Sequence, residues 1–418
     1  MTEQEEIKCI KQTIDEAIKG SSKKFIIVPF GRYGRMAKEI LERDYNINDS
    51  LVVDNYKYDN KTVYKLSDLP LEDGKDYTFL NVSKDYTGIK LMDQIYHLYG
   101  DRYKVYKVEY FSDKQLEICN APDKTRLDFL CVGFAKCGTT SLDAALKKNP
   151  KVFLPKMKET IFMLNMTDRG ADLLKYYYNE EAVKGKIVGD IDPHAIVFPE
   201  RAYKYYGADT KIIIMVRNPV GAITSRFLWD ARFMGCPKSV HTFEEANGVI
   251  NPTTFKNWLL DDNCRNMKIY NYGSITREWI RYFGRDNVKI IISEEMYKNT
   301  SEIMDDVQHF IGLDDSDIMD YPQFPATNSS AHISTDFKLS KMYSEAMSLM
   351  DRATVAFPDT YDDFMNIRNK IWKKISVPFD KDSLLTDEVL QIIRDGYTDE
   401  IKSLEEIMDR PLDEYMKI

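Results

Sequence analysis

The 418-residue chain lacks an excess of positive charge: 58 lysines and arginines stand against 67 aspartates and glutamates, giving a formal net charge of −9 and a pI near 5.3. This balance argues against general nucleic-acid binding, because a protein that grips the phosphate backbone needs a basic face to release counterions. Any anionic ligand must instead meet a local cluster of lysine or arginine. The chain also lacks a run of about 18 apolar residues, which excludes a membrane-spanning helix at the level of pattern. Its first residues, MTEQEEIKCI, contain neither a basic leader nor an apolar core, so no secretory signal is expected. Close cysteine pairs are missing too. Cys9, Cys119, Cys131, Cys137, Cys236 and Cys264 form no C-x-x-C motif, which fits reduced thiols in a cytoplasmic protein and supplies no zinc-ligand spacing. There is no internal repeat and no low-complexity tract.

What is present is a globular composition, 43% hydrophobic and 12% aromatic, on a chain too long for one ordinary core. Ile7, Ile10, Ile14 and Ile18 share one face of a helix expected over residues 3 to 19, with Gly20 as its stop. A buried strand KKFIIVPF, a turn into the helix GRYGRMAKEILERD and a second strand LVVDN follow. Gly31, Gly34 and Ala37 give G-x-x-G-x-x-A, one glycine short of the dinucleotide fingerprint, with Asp54 where a ribose-binding acid would stand. A nucleotide site and a turn that merely packs helix on strand both account for this spacing, the second being preferred. The stretch resembles small Rossmann-like domains attached to bacterial sugar-modifying enzymes. Alternation of strand and helix runs on to the polar segment NAPDK, which suggests a Rossmann-like α/β domain over residues 1–122 and a second domain over 123–418. In the latter, LDFLCVG, KIVGDID, KIIIMV and VKIIIS are apolar on both faces and separated by helices. They predict a parallel sheet covered on both sides, with a helical tail from about residue 335.

Residues 131–141 read CVGFAKCGTTS. Gly133 and Gly138 keep the spacing of a P-loop between strand and helix, yet the lysine does not follow the second glycine, where it would reach a terminal phosphate. The backbone N–H groups from Ala135 through Cys137, Gly138 and Thr139 to Thr140, at a helix amino terminus, suit one phosphate-like group, with Lys136 bent over it. Thr139, Thr140 and Ser141 add hydroxyl donors. Such a site suits a 5′-phosphate that carries one short electrophilic substituent.

GFAKCGTTSL followed by NPKVFLPKMKETIF resembles the signature of sulfotransferases that use 3′-phosphoadenosine 5′-phosphosulfate (PAPS), through Gly133, Lys136, Gly138, Thr139, Thr140, Ser141, Leu142, Pro150, Pro155, Lys158, Glu159 and Phe162. Met163 departs from it. KIIIMVRNPVGAITSRF resembles a second element of that family, and the resemblance implies that Arg217 and Ser225 hold the 3′-phosphate. An arginine fork suits that task. Ala222 stands where many members carry another arginine. The likeness extends less specifically over roughly residues 126–418, with Asn328, Ser329 and Ser330 near the expected nucleotide.

The resemblance implies a P-loop-like sulfotransferase fold, PAPS as donor with 3′-phosphoadenosine 5′-phosphate (PAP) as product, and no required metal. Lys136 is the expected cation at the leaving phosphate oxygen. Glu159 is the expected general base, as in carbohydrate-type members, with His194 of GDIDPHAI as its rival. Cys137 is expected to be a packing residue. The expected activity is sulfuryl transfer to a hydroxyl or amine of a carbohydrate or glycolipid by a cytoplasmic, bacterial enzyme, with self-association left open. A phenol or lipid sulfotransferase, an ATP-dependent phosphotransferase and a non-catalytic nucleotide-sugar-binding protein are the alternatives.

Overall fold

The structure, a computed structural model, describes residues 1–20, 24–72, 74–233, 240–261, 270–324, 332–334 and 336–418. Cys236, Cys264, Asn328, Ser329 and Ser330 lie outside them. The chain divides into two compact units. One comprises Met1–Lys124 with Val197–Tyr205, the other Thr125–Ile196 with Tyr206–Ile418.

The first unit opens with α1 (Glu3–Lys19), started by a capping box in which Thr2 Oγ1 accepts from the Glu5 N–H at 3.3 Å and the Glu5 carboxylate accepts from the Thr2 N–H at 2.6 Å. Gly20 ends it, as the sequence predicts. There follow β1 (Lys24–Val28), α2 (Arg32–Tyr45), β2 (Leu51–Val52), β3 (Tyr77–Asn81), α3 (Asp85–Tyr99), β4 (Lys104–Lys107) and α4 (Asp113–Asn120). The four strands form one parallel sheet in the order β2-β1-β3-β4. Phe25 and Ile27 bury one face with Ile10, Ile14, Ala37 and Ile40, and Ile26 and Val28 bury the other with Phe79, Leu91 and Ile95. Cover on both sides is why β1 reads as an unbroken apolar run. A Cβ on Gly34 would stand 2.4 Å from the Pro29 carbonyl oxygen, so the first turn of α2 requires glycine to lie on the chain leaving β1. The carboxylate of Asp54 accepts from the N–H groups of Tyr56 and Lys57 at 2.9 and 3.0 Å, an Asx-type turn.

The second unit contains β5 (Phe129–Cys131), α5 (Thr139–Leu146), β6 (Val152–Phe153), β7 (Ile187–Ile191), β8 (Lys211–Val216) and β9 (Val288–Ile292), paired in parallel in the order β6-β7-β5-β8-β9. Ile212 through Val216 are wholly buried. The unit is an α/β fold with a parallel sheet flanked by helices, as expected. Helix Tyr272–Phe283 crosses helix Asp387–Met408 so closely that a Cβ on Gly273 would come within 2.3 Å of Ser403 Cβ, and the buried Glu400 carboxylate accepts from the Ser274 N–H and hydroxyl at 2.9 and 2.6 Å.

One feature departs from the helical tail that the sequence suggests. His332–Ser334 (β10) and Ser376–Pro378 (β11) pair antiparallel, with His332 opposite Pro378. Two segments of three residues are too short to show an alternating pattern.

In the five-stranded sheet, β5 lies between β7 and β8. The chain leaves β5 for β6 at one edge, returns through β7 and then crosses to β8 on the other side. Open α/β sheets bind ligands beyond the carboxyl ends of the strands where the strand order reverses in this way.

Candidate active site

The loop after β5 stands at that end of the sheet. A Cβ on Gly133 would sit 2.5 Å from the Met215 N atom, so the loop presses against β8, and the Phe134 N–H donates to the Met215 carbonyl at 3.0 Å. The Tyr270 hydroxyl donates to the Ala135 carbonyl at 3.0 Å, the Arg217 guanidinium to the Lys136 carbonyl at 3.2 Å, and Ser293 Oγ to the Cys137 carbonyl. A carbonyl and the next N–H point opposite ways across a planar trans peptide. Anchoring the carbonyls of Ala135 and Cys137 therefore turns the N–H groups of Lys136 and Gly138 toward the other side of the loop. The Cys137 N–H instead closes a turn onto the Phe134 carbonyl at 3.2 Å. Gly138, at φ +92°, caps α5: its carbonyl accepts from the Ser141 and Leu142 N–H groups at 2.9 and 3.2 Å, while the N–H groups of Thr139 and Thr140 lie too early in the helix to find a carbonyl within it.

The side chains divide by burial. Cys137 is buried, with its thiol 3.7 Å from Tyr272 Oη, and burial pushes the thiol up to about 12. It packs. Thr139 is buried, Thr140 is exposed, and Ser141 Oγ lies 2.8 Å from Tyr297 Oη.

At the end of β8, Arg217 reaches back over the start of helix Pro219–Arg232. Asn218 caps that helix by accepting from the Val220 N–H at 3.0 Å, and Pro219 occupies its first position. A Cβ on Gly221 would meet Arg217 Nε at 3.1 Å, so the guanidinium lies against Gly221. Ser225 stands four residues later, on the same helix face. Arg217 Nε is also 3.7 Å from Glu294 Oε1, which accepts from the Asn218 N–H at 3.2 Å. Burial raises the Glu294 carboxyl above its ordinary range.

Lys136, Glu159 and His194 share one electrostatic field. Burial first, then Arg226, brings the Lys136 ammonium down to about 8. Burial also works against the Glu159 charge, but Lys158, His194 and Lys136 together outweigh it and hold the carboxyl below the usual glutamate value. Lys158 is not a solvated surface lysine: its side chain is 12% exposed and its ammonium pairs with Glu159 Oε1. The other Glu159 oxygen is 3.7 Å from His194 Nδ1, which is itself 3.2 Å from Asp192 Oδ1. Burial would depress the imidazole, yet Asp192 and Glu159 raise it above its ordinary value.

The backbone is strained here. Among the described residues, seven non-glycine residues have left-handed φ, and four of them are Asn46, Asn60, Asn247 and Asp409, types that tolerate it. The remaining three, Lys136, Glu159 and Ile161, all belong to this site. Each costs about 1–3 kcal/mol and persists only where surrounding contacts hold it.

Sequence reasoning missed Thr160, whose buried hydroxyl donates to Asp190 Oδ2 at 2.6 Å, and the carboxylate of Glu294 beside Arg217. It also missed Arg226, whose charge bears on both Lys136 and His194. The i, i+2 spacing of Asp190, on β7, and Asp192, directly after it, was the available signal for the first. Glu294 and Arg226 come close only through tertiary packing.

A sulfotransferase domain family matches residues 126–348, more than half of the chain. No curated protein matches the sequence. Among solved structures, a sulfotransferase from Alicyclobacillus acidocaldarius is similar at 20% identity over 69% of this chain and 98% of its own, with a TM-score of 0.43. A mouse sulfotransferase complexed with PAP shares 14% identity over 73% of this chain and 93% of its own, at a TM-score of 0.37. A Mycobacterium avium sulfotransferase shares 14% identity over 68% and 78%, at 0.32. On the domain match, the chain belongs to the sulfotransferase family, whose enzymes take a sulfuryl group from PAPS.

Proposed function

We propose that this sulfotransferase moves the sulfuryl group of PAPS to a hydroxyl or amine of a carbohydrate or glycolipid acceptor, with Glu159 as general base. The observation that carries the reading is the Glu159 carboxylate itself. It is held ionised between Lys158 and His194, on a strained turn beside the Lys136 loop. PAPS, when bound, supplies an electrophilic sulfur and a phosphate leaving group.

The residues fit that donor. The loop from Ala135 to Thr140 offers N–H groups and one ammonium to a 5′-phosphosulfate, and Lys136 stabilises charge arising on the bridging oxygen. Arg217 and Ser225, facing one side of the helix that follows β8, suit a phosphate at the far end of the nucleotide. Thr140 is the exposed hydroxyl at the start of α5, while Thr139 and Ser141 serve chiefly to pack the helix against the loop. Cys137 contributes its carbonyl anchor and its bulk.

The choice of carbohydrate rests on the glutamate base and on the amino-terminal likeness to domains of sugar-modifying enzymes. We assign residues 1–122 to an accessory Rossmann-like domain, residues 123–418 to the sulfotransferase domain, and the protein to the bacterial cytoplasm. No helix among the described residues is long and apolar enough to cross a membrane.

The deciding experiment incubates the protein with radiolabelled PAPS and a panel of saccharide, glycolipid and phenol acceptors. A labelled saccharide, lost about 10²- to 10⁴-fold in kcat in Glu159→Gln with PAP affinity unchanged, is the expected result. Label on phenols alone, or full turnover by Glu159→Gln, overturns the acceptor or the base respectively.

A further inference from the structure

The turn that presents Glu159 is flanked by improbable backbone: Glu159 has φ +68° and Ile161, a β-branched residue, has φ +57°. Thr160 lies between them. Its side chain does not face solvent, and its hydroxyl donates to Asp190 Oδ2 at 2.6 Å. Asp190 belongs to β7, beside the central β5, and Leu130 is its registered neighbour. It is 1% exposed, and its other oxygen has no hydrogen-bond partner among the described residues. A buried polar group is normally satisfied on every side. The cost of Asp190 is therefore retained for something other than the core.

Side chains two apart on a strand point to the same face. Asp190 on β7 and Asp192 just past its end, where the Asp192 N–H still donates to the Cys131 carbonyl at 2.9 Å, thus form a pair that reaches both candidate bases, Asp192 directly to the His194 ring at 3.2 Å and Asp190 through Thr160 to the Glu159 turn. The two contacts differ in what they fix. Asp192 orients an imidazole, whereas Asp190 holds a main-chain segment.

We propose that Asp190 and Thr160 act as a clamp that holds the left-handed turn at Glu159 and so positions its carboxylate for proton transfer from the acceptor. Neither residue touches the reacting atoms; both are positioning residues. The inference rests on the assignment of Glu159 as base. Without the clamp the turn relaxes toward ordinary φ values and the carboxylate leaves its place between Lys158 and His194. A displacement of about 1 Å at a catalytic group costs on the order of 10²-fold in rate.

The test uses the full chain and isosteric changes that preserve packing. Thr160→Val removes the donor, and Thr160→Ser restores it. The expected result is a fall in kcat of about 10- to 100-fold in Thr160→Val, with KM for PAPS and calorimetric PAP affinity within about twofold of wild type, and recovery in Thr160→Ser. Asp190→Asn keeps an acceptor oxygen and should retain most of kcat, whereas Asp190→Ala should not. A Thr160→Val enzyme with wild-type kcat, in a preparation where Glu159→Gln is inactive, overturns the clamp and leaves the base intact. Full turnover by Glu159→Gln overturns the base. The double variant separates the two further, since a clamp acting through Glu159 adds no loss to Glu159→Gln. An undiminished effect of Thr160→Val in that background overturns the clamp.

Discussion

Asp192 Oδ1 lies 3.2 Å from His194 Nδ1, and the same ring nitrogen lies 3.7 Å from Glu159 Oε2. One imidazole therefore sits between two carboxylates, and its protonation opposes that of Glu159: His194 is raised above 6.5 while Glu159 is lowered below 4.5. A general base works only when deprotonated. With Glu159 as base, kcat/KM should hold level down to pH 5, because the carboxylate is already formed. An acid limb centred above pH 6.5 in a wild-type profile would assign the proton to His194 instead.

With Lys136 as the cation at the leaving oxygen, the alkaline side of the same profile belongs to it. Its ammonium is brought down to about 8, so the charge that the donor meets in the free enzyme disappears as pH rises through that value. kcat/KM for PAPS should fall above pH 8. Lys136→Met removes the charge at every pH, and kcat should drop by about 10²- to 10³-fold, the scale seen when one preorganised donor is lost from a transition state. The variant should unfold no earlier than wild type at pH 7. Both the folded and unfolded lysine are protonated there, so the full cost of burying the ammonium is present in wild type and absent in the variant. A variant that turns over normally would remove Lys136 from the mechanism.

Much of this was legible in the sequence. The strands of the second sheet could be read because both of their faces are covered, leaving runs such as KIIIMV without a polar break. Lys136 could be singled out because the loop fixes its neighbours by short-range geometry. What could not be read was everything set by contact across the sheet. Thr160 is one polar residue in a loop until β7 brings Asp190 to it, and Glu294 is half of an acidic pair until β9 lies beside β8 and sets it against Arg217. Left-handed backbone at Glu159 and Ile161 was hidden for the same reason: neither residue type favours it, so only the surrounding contacts produce it.

Asp190 leads to a stability prediction with a definite sign. Burial, then the nearby Asp192 charge, pushes its carboxyl up to about 7, while Thr160, the strand backbone and Lys158 pull in the other direction. A carboxyl whose folded value is raised contributes stability that is fully present below about pH 4 and is lost as pH climbs to about 7. Asp190→Asn keeps the shape without the titration. Its melting temperature should exceed that of wild type at pH 8 by about 1–2 °C for each kcal/mol relieved, and the gain should shrink at pH 5. Equal differences at both pH values would show that Asp190 does not titrate in this range.

With Arg217 assigned to the 3′-phosphate, its substitution tests that end of the site separately from the chemistry. Its guanidinium holds the Lys136 carbonyl with one nitrogen, lies along Gly221, and is opposed by the Glu294 carboxylate 3.7 Å away. A phosphate arriving there gains a planar fork of donors that a lysine cannot reproduce. Arg217→Lys should therefore weaken PAP by about tenfold or more and leave adenosine 5′-monophosphate, which has no 3′-phosphate, within about twofold, a charge-assisted hydrogen bond being worth about 1.5–3 kcal/mol. Competition calorimetry with the two nucleotides measures the ratio directly. Glu294→Gln, which lifts the opposing charge, should tighten PAP and not the monophosphate. If both nucleotides weaken together in Arg217→Lys, the arginine supports the loop through the Lys136 carbonyl and does not read the 3′ position.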